Sequence, residues 1–328
     1  MPRRAHLLAG PGAGRLFGLS PRGILFALDA ATGKAAWSKD LVSELGAKSP
    51  FYGFTSSPIL VNTTLVVGIG AGEGKAIAGF AAGDGKLLWS AGNDEIHYHS
   101  PIVASIGGRP QILAAGAKTL WGLEPATGKV LWSYEHQGDE TAVGGQKLIP
   151  VPAGEGRFLL ANKQDSSTMI QVAPGAGGAY KVSELWTNNS IRSTFVIPVY
   201  HEGHIYGVTG RILTCVDAAT GETKWKTREA GDGFVTLVGG HLVILTKQGT
   251  LHIAEASPSG YQERARMSVF DENAWSAVAY ADGHLFARSM AHLARIDVTA
   301  GAAAPAVTVA GNWVQNTGFG RFLAETEK

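Results

Sequence analysis

ALDAATGKAAW, residues Ala27–Trp37, has a close copy in CVDAATGETKW at Cys215–Trp225. Two further copies are GFAAGDGKLLW at Gly79–Trp89 and GLEPATGKVLW at Gly122–Trp132. All four place a glycine four residues before a tryptophan, and three of them place an acid three residues before a Thr-Gly pair. Repetition of this kind indicates a fold assembled from copies of one structural unit.

Each copy joins two strand-like runs through a turn with defined chemistry. Asp29 can accept hydrogen bonds from amides of the turn, and Gly33 suits a left-handed turn position. Trp37 then offers a large flat surface for docking between neighbouring units. The residues predicted to stabilise the repeat are Asp29, Thr32, Gly33, Trp37, Trp89, Thr127, Gly128, Trp132, Asp217, Thr220, Gly221 and Trp225.

The spacing of the repeat predicts a β-propeller. Tryptophans at 37, 89, 132, 186 and 225 are separated by steps of 52, 43, 54 and 39 residues, and propeller blades of four strands take about 40–50 residues. We therefore predict an all-β chain, a single domain over residues 1–328, with seven four-stranded antiparallel blades ending near 37, 89, 132, 186, 225, 269 and 308. Eight blades are the alternative. The first blade is short, so we expect a closing strand from residues 312–323.

Composition excludes several classes of protein. The 28 basic and 27 acidic residues nearly cancel, which gives no electrostatic basis for binding nucleic acid. The single cysteine rules out an intramolecular disulfide and a cysteine-rich zinc site. Nowhere is an apolar stretch long enough for a signal peptide or a transmembrane helix, so we expect neither in the sequence as given.

The pattern Ala27-x-Asp29-x-x-Thr32-Gly33-x-x-x-Trp37 resembles the tryptophan-docking repeat of the pyrroloquinoline-quinone (PQQ) type propellers. That superfamily includes quinoprotein alcohol dehydrogenases and the lipoprotein propeller of the outer-membrane β-barrel assembly machinery. The resemblance covers roughly residues 15–300 and implies the fold more than any activity. Quinoprotein dehydrogenases have a ring of adjacent cysteines over the cofactor, which a chain with one cysteine cannot form.

Candidate ligand-binding residues follow from the expected fold. Loops that enter the first strands of propeller blades line one end of the channel, and the residues in those loops combine aromatic and polar side chains. They are Tyr52, Phe54, Ser56, His97, Tyr98, His99, Lys147, Arg192, Thr194, Asp232, Phe234, Asn273 and Trp275.

His97 and His99 form the closest approach to a metal-binding pair. Their spacing on an extended segment places both rings on one face, where Asp139 could complete a site. The alternative is that both are polar loop residues that satisfy neighbouring backbone groups, and we expect no bound metal.

The expected function is a non-catalytic propeller that binds a protein or peptide partner or a small ligand, without a cofactor. The alternative is a quinone-dependent oxidoreductase, or part of one, with PQQ and calcium bound near Lys147 and Arg192. A third hypothesis is a metal-dependent hydrolase or lyase that uses His97 and His99. The family resemblance implies the bacterial periplasm or cell envelope.

Overall fold

Seven antiparallel sheets of four strands each form this chain in a computed structural model that describes residues 6–9, 14–136, 150–162, 166–192, 196–298 and 307–310. The predicted all-β propeller is confirmed, and its blades number seven among these residues. Each blade is a meander in which consecutive strands pair.

The chain divides into two compact units. The first comprises residues 3–195 and 219–221 and holds four blades. The strands of those blades are β1–β4 (His6–Ala9, Arg15–Leu19, Ile24–Asp29, Ala35–Asp40), β5–β8 (Ile59–Val61, Thr64–Gly68, Ile77–Ala81, Leu87–Ala91), β9–β12 (Ile102–Ile106, Arg109–Ala115, Thr119–Leu123, Val130–Glu135) and β13–β16 (Val151–Pro152, Arg157–Asn162, Ser166–Pro174, Tyr180–Asn188).

The second unit is built around residues 196–218 and 222–328 and holds three blades. Their strands are β17–β20 (Val199–His201, His204–Thr209, Ile212–Asp217, Thr223–Thr227), β21–β24 (Gly233–Val238, His241–Thr246, Thr250–Glu255, Glu263–Ser268) and β25–β28 (Ala279–Ala281, His284–Arg288, Leu293–Asp297, Val307–Ala310).

The first blade obtains all four of its strands from the N-terminal part of the chain. β1 pairs with β2, with His6 opposite Leu19 and Ala9 opposite Leu16. β1 thus supplies the strand that the sequence analysis assigned to residues 312–323, and that segment lies outside the described residues.

The repeated turn has the hydrogen bonds that its sequence predicts. An Oδ1 atom of Asp29 accepts from the backbone N–H of Ala31 and Thr32 and from the Thr32 hydroxyl, at 3.1, 2.8 and 2.7 Å. The bond from the Thr32 hydroxyl, aided by that from the Thr32 amide, lowers the pKa of Asp29. Gly33 closes the turn by donating to the Asp29 carbonyl at a φ of 69°. In the third blade, Thr127 donates to Glu124 in the same way.

Tryptophans of the repeat pack on the turn glycine of the following blade. A Cβ atom added at Gly85 would lie 2.8 Å from the Trp37 ring, and one added at Gly221 would lie 2.7 Å from the Trp186 ring. The indole N–H of Trp37 also donates to the Ala82 carbonyl at 3.0 Å. These contacts join adjacent blades at the position where docking was predicted, and they explain why the turn requires glycine.

A β-bulge recurs beside the tryptophan position. In six blades the register between the third and fourth strands shifts immediately after the residue that faces this position, as between Cys215, which faces Trp225, and Val216. Bulges increase local twist. Cys215 is fully buried, and burial raises the pKa of its thiol to about 11.

A short helix, α1 (Leu41–Leu45), follows the first blade and was not predicted. Asp40 caps it by accepting from the amides of Val42 and Ser43, and Glu44 accepts from the Asp40 amide in return. Such reciprocal bonds satisfy the free N–H groups at a helix start. Gly46 ends the helix in a left-handed conformation.

The sixth blade has no tryptophan at the repeat position. Its third and fourth strands, β23 and β24, instead carry an ionic network. Glu263 on β24 accepts hydrogen bonds from His252 at 2.8 Å, from Tyr261 at 2.9 Å and from Arg266 at 2.9 Å. Burial alone would raise the pKa of Glu263, but these bonds outweigh it and lower the pKa to about 2.

Replacing Gly85 with alanine tests the docking contact, with Gly33→Ala as the matched control. Both glycines have left-handed backbone, with φ of 73° and 69°, but no described atom lies within 4 Å of a Cβ at Gly33. The control should lose about 1–2 kcal/mol from backbone strain. Gly85→Ala should lose about 1–3 kcal/mol more, because its methyl group overpacks the Trp37 ring. Equal losses in urea unfolding would contradict the docking role.

The Glu263 network predicts a defined dependence of stability on pH. The folded state holds the Glu263 proton less tightly than the unfolded state does, so this stabilisation is present above pH 4.5 and is lost as the pH falls towards 2. Glu263→Gln should destabilise the protein by about 1–2 kcal/mol at pH 7. At pH 2.5 chemical denaturation should show a much smaller difference from wild type, and a constant difference would argue against the network.

Candidate functional site

The predicted site residues precede the first strands of their blades, as expected from the sequence. Tyr52 and Phe54 come before β5, His97 and His99 before β9, Arg192 before β17, Asp232 before β21, and Trp275 before β25. Lys147 and Thr194 lie outside the described residues. The structure gathers several of these side chains into one group in each unit.

An exposed aromatic surface, formed by Phe51, Tyr52 and Tyr98, lies in the first unit. Phe51 and Tyr52 are 61% and 47% exposed. Their rings meet edge to face with centroids 4.9 Å apart, and the Tyr52 and Tyr98 centroids are 5.8 Å apart. The Tyr52 amide donates to the Tyr98 hydroxyl oxygen at 3.1 Å. Two adjacent blades therefore share this surface.

Beside the aromatic surface lies a buried histidine cluster of His97, His99 and His136. The His97 and His99 rings are 6.1 Å apart, as are the His99 and His136 rings, and His97 also stacks with Tyr98 at 6.3 Å. His99 Nδ1 lies 3.3 Å from the Ala115 carbonyl oxygen, and His136 Nε2 lies 3.0 Å from that of Gly116. These carbonyls accept the ring N–H groups and orient two of the three imidazoles.

His136 was not predicted, although the sequence contains the signal for it. Four antiparallel strands return the chain to the end of the blade where it began. The residue after β12 therefore lies at the same end of the blade as the residues before β9. Applying that rule to the third blade would have placed His136 at the same end of the blade as His97 and His99, although their contact is set by loop packing.

Metal binding gains no support from the described part of the chain. No group of three or more His, Cys, Asp or Glu side chains there is placed to hold a metal ion. Asp139, the suggested third ligand, lies outside the described residues.

Phe54 and Arg192 have different surroundings. Phe54 is 1% exposed and packs in the core, where a Cβ at Gly23 would lie 2.8 Å from its ring. Its side chain therefore supports the loop from within. Arg192 is exposed, and its Nε donates to the Asn189 carbonyl at 3.4 Å.

In the second unit, Asp232 and Trp275 are joined through a residue that was not predicted, Lys247. The ammonium of Lys247 lies 2.8 Å from Asp232 Oδ2 and 4.7 Å from the centroid of the Trp275 ring. Phe234, 7% exposed, meets Trp275 at a centroid distance of 6.3 Å. Lys247 lies on the turn between β22 and β23, which the sequence analysis did not consider.

Glu272, Ser289 and His292 have the composition of a catalytic triad without its geometry. The Ser289 hydroxyl and the His292 ring both donate to the same atom, Glu272 Oε1. A nucleophilic serine would instead donate to the histidine ring. Ser289 Oγ also accepts from the amides of Ala291 and His292, so the group stabilises a turn.

Comparison with known families matches residues 2–227 to the family described as outer membrane protein assembly factor BamB. The chain belongs to the BamB family. BamB from Moraxella catarrhalis aligns with a TM-score of 0.60 and 17% identity, over 85% of this chain and 80% of that one. The computationally designed Ika8 protein aligns with a TM-score of 0.64 and 14% identity, over 89% and 83% of the two chains. No curated protein matches the chain.

The two solved structures share the fold at low identity and identify no ligand for this BamB-family chain. Its helices, within the described residues, include none long and apolar enough to cross a membrane.

The histidine cluster predicts that stability falls in mild acid. Burial lowers the pKa of His136 below 6.5, assisted by His97 and opposed by the Gly116 carbonyl and by Asp94. The unfolded state therefore takes up a proton first, and stability declines as the pH falls below 6.5. His136→Gln should reduce the slope between pH 7 and 5.5, by at most about 1.4 kcal/mol per pH unit for one proton.

The control for this experiment is His241→Gln, since His241 is exposed at the start of strand β22. Chemical denaturation should show the wild-type slope for that variant. An unchanged slope in His136→Gln would mean that the buried ring does not control the acid sensitivity.

Proposed function

We propose that this chain is a non-catalytic binding propeller whose aromatic surface contacts a protein or peptide partner. The observation that carries the proposal is the exposure of Phe51 and Tyr52 on a structured loop, where their rings pack on each other and on Tyr98. Large aromatic side chains that remain exposed in an ordered arrangement are typical of interface anchors.

The surface is suited to binding because it is ordered before a partner arrives. The Tyr52 amide is bonded to Tyr98, and Tyr98 stacks on a buried histidine. Just below the exposed rings, Phe54 is fixed in the core and its amide donates to the Pro21 carbonyl at 3.0 Å. A pre-organised surface loses little conformational entropy on binding.

The family supports a setting in the bacterial cell envelope. Its description is that of an outer membrane protein assembly factor, so a partner among envelope proteins is the natural expectation. We therefore propose the periplasm or the cell envelope as the setting of the chain.

Site-specific photo-crosslinking tests this proposal. A photoreactive phenylalanine analogue replaces Tyr52 in the full chain, which is expressed in bacterial cells and irradiated. The expected result is a discrete crosslinked adduct with an envelope protein that mass spectrometry can identify. Phe51→Ala in the same chain should reduce its yield several-fold, because the neighbouring anchor is lost.

Leu88 provides the matched control, being 49% exposed on β8 of the same blade. The analogue at Leu88 should give no such adduct. Equal adducts from both positions, or none from Tyr52, would contradict the proposal. A parallel titration with PQQ and calcium addresses the oxidoreductase hypothesis: saturable tryptophan quenching with dye-linked turnover of an alcohol or sugar would replace the non-catalytic proposal.

A further inference from the structure

Asp232, Lys247 and Trp275, hereafter the indole site, form a group in the second unit that the aromatic surface does not involve. Each comes from a different connection: Asp232 from the loop before β21, Lys247 from the β22–β23 turn, and Trp275 from the loop before β25. Trp275 is 50% exposed, although it is among the largest apolar side chains of the protein.

Backbone hydrogen bonds hold the three connections together. The Lys247 amide donates to the Asp232 carbonyl at 2.8 Å, and the Ala274 amide donates to the Lys247 carbonyl at 3.0 Å. Ala274 is fully buried next to Trp275. The three side chains are therefore positioned by the fold itself, which is the arrangement that a binding site requires.

The side chains of the indole site offer a ligand both hydrogen-bond donors and hydrogen-bond acceptors. Lys247 and Asp232 are each about one-quarter exposed, and their contact occupies Oδ2 of the carboxylate. Within the described residues, neither Asp232 Oδ1 nor the Trp275 indole nitrogen has a hydrogen-bond partner. A flat apolar ring thus lies beside one ammonium donor and one carboxylate acceptor.

The charge of the site selects among ligand classes. Because Asp232 and Lys247 neutralise each other at 2.8 Å, a cationic or an anionic ligand would be repelled by one member as strongly as it is attracted by the other. A neutral ligand with adjacent hydroxyl groups can donate to the carboxylate and accept from the ammonium together. If it also has an apolar C–H face, that face can pack on the electron-rich face of the indole.

We propose that the indole site binds a neutral sugar ring. The pyranose C–H face packs on Trp275, while two neighbouring hydroxyl groups bond Asp232 and Lys247. This proposal does not rest on the aromatic surface, and either can fail without the other. A free sugar and a polysaccharide of the cell envelope would present the same chemistry.

Saturation-transfer NMR on the full chain tests the proposal, with methyl glucoside, N-acetylglucosamine and their tetrasaccharides as probes. We expect transfer to the ring protons of at least one sugar, and affinity at least tenfold weaker in Trp275→Ala. Affinity that rises from monosaccharide to tetrasaccharide identifies a polysaccharide as the source, and equal affinity identifies a free sugar.

Tyr280→Ala is the matched control, because Tyr280 is also 50% exposed in the same blade but lies outside the indole site. It should bind as wild type does. Asp232→Asn preserves the shape of the site and should weaken binding several-fold, which keeps the test valid if Trp275→Ala unfolds. No transfer from any probe, unchanged binding in both site variants, or Trp275-dependent binding of an oligoglutamate or oligolysine peptide in place of sugar would overturn the proposal.

Discussion

A tryptophan that packs on the turn glycine of the next blade is the contact on which the repeated architecture depends. The glycine must lack a side chain to admit the ring, and it must adopt the left-handed conformation that closes the turn. The acid and threonine in front of it hold that turn through side-chain hydrogen bonds. One motif therefore defines both a hairpin within a blade and the junction between two blades.

This coupling explains how much of the fold could be predicted from sequence. Turn and junction have fixed spacing along the chain, so the tryptophan position identified a blade even where the Thr-Gly pair was lost, as before Trp186. The network around Glu263 could not be predicted in this way. Its members meet across two strands through side-chain hydrogen bonds, and that arrangement has no characteristic spacing. The contribution of β1 was also missed, because His6–Ala9 is too short to show strand periodicity.

For the candidate sites, the sequence predicted which loops contain the residues but not which side chains contact each other. The loops before first strands were identified from the repeat, but the sequence could not show that Tyr98 contacts Tyr52 or that Lys247 joins Asp232 to Trp275. Those contacts join loops of different blades, or a loop and a turn of one blade. The distances between the side chains are set by packing and not by spacing along the chain. Phe54 shows a second limit of the sequence pattern: its loop was identified, but its side chain is buried in the core.

The single cysteine has a consequence for how this protein can be studied. Cys215 is fully buried opposite Trp225, and a thiol with a pKa of about 11 is almost entirely protonated at neutral pH. Reagents that attack thiolates can reach it only when the strands of its blade separate. Its alkylation rate is therefore an intrinsic reporter of the opening of one blade, and it needs no engineered label and no background correction for a second thiol.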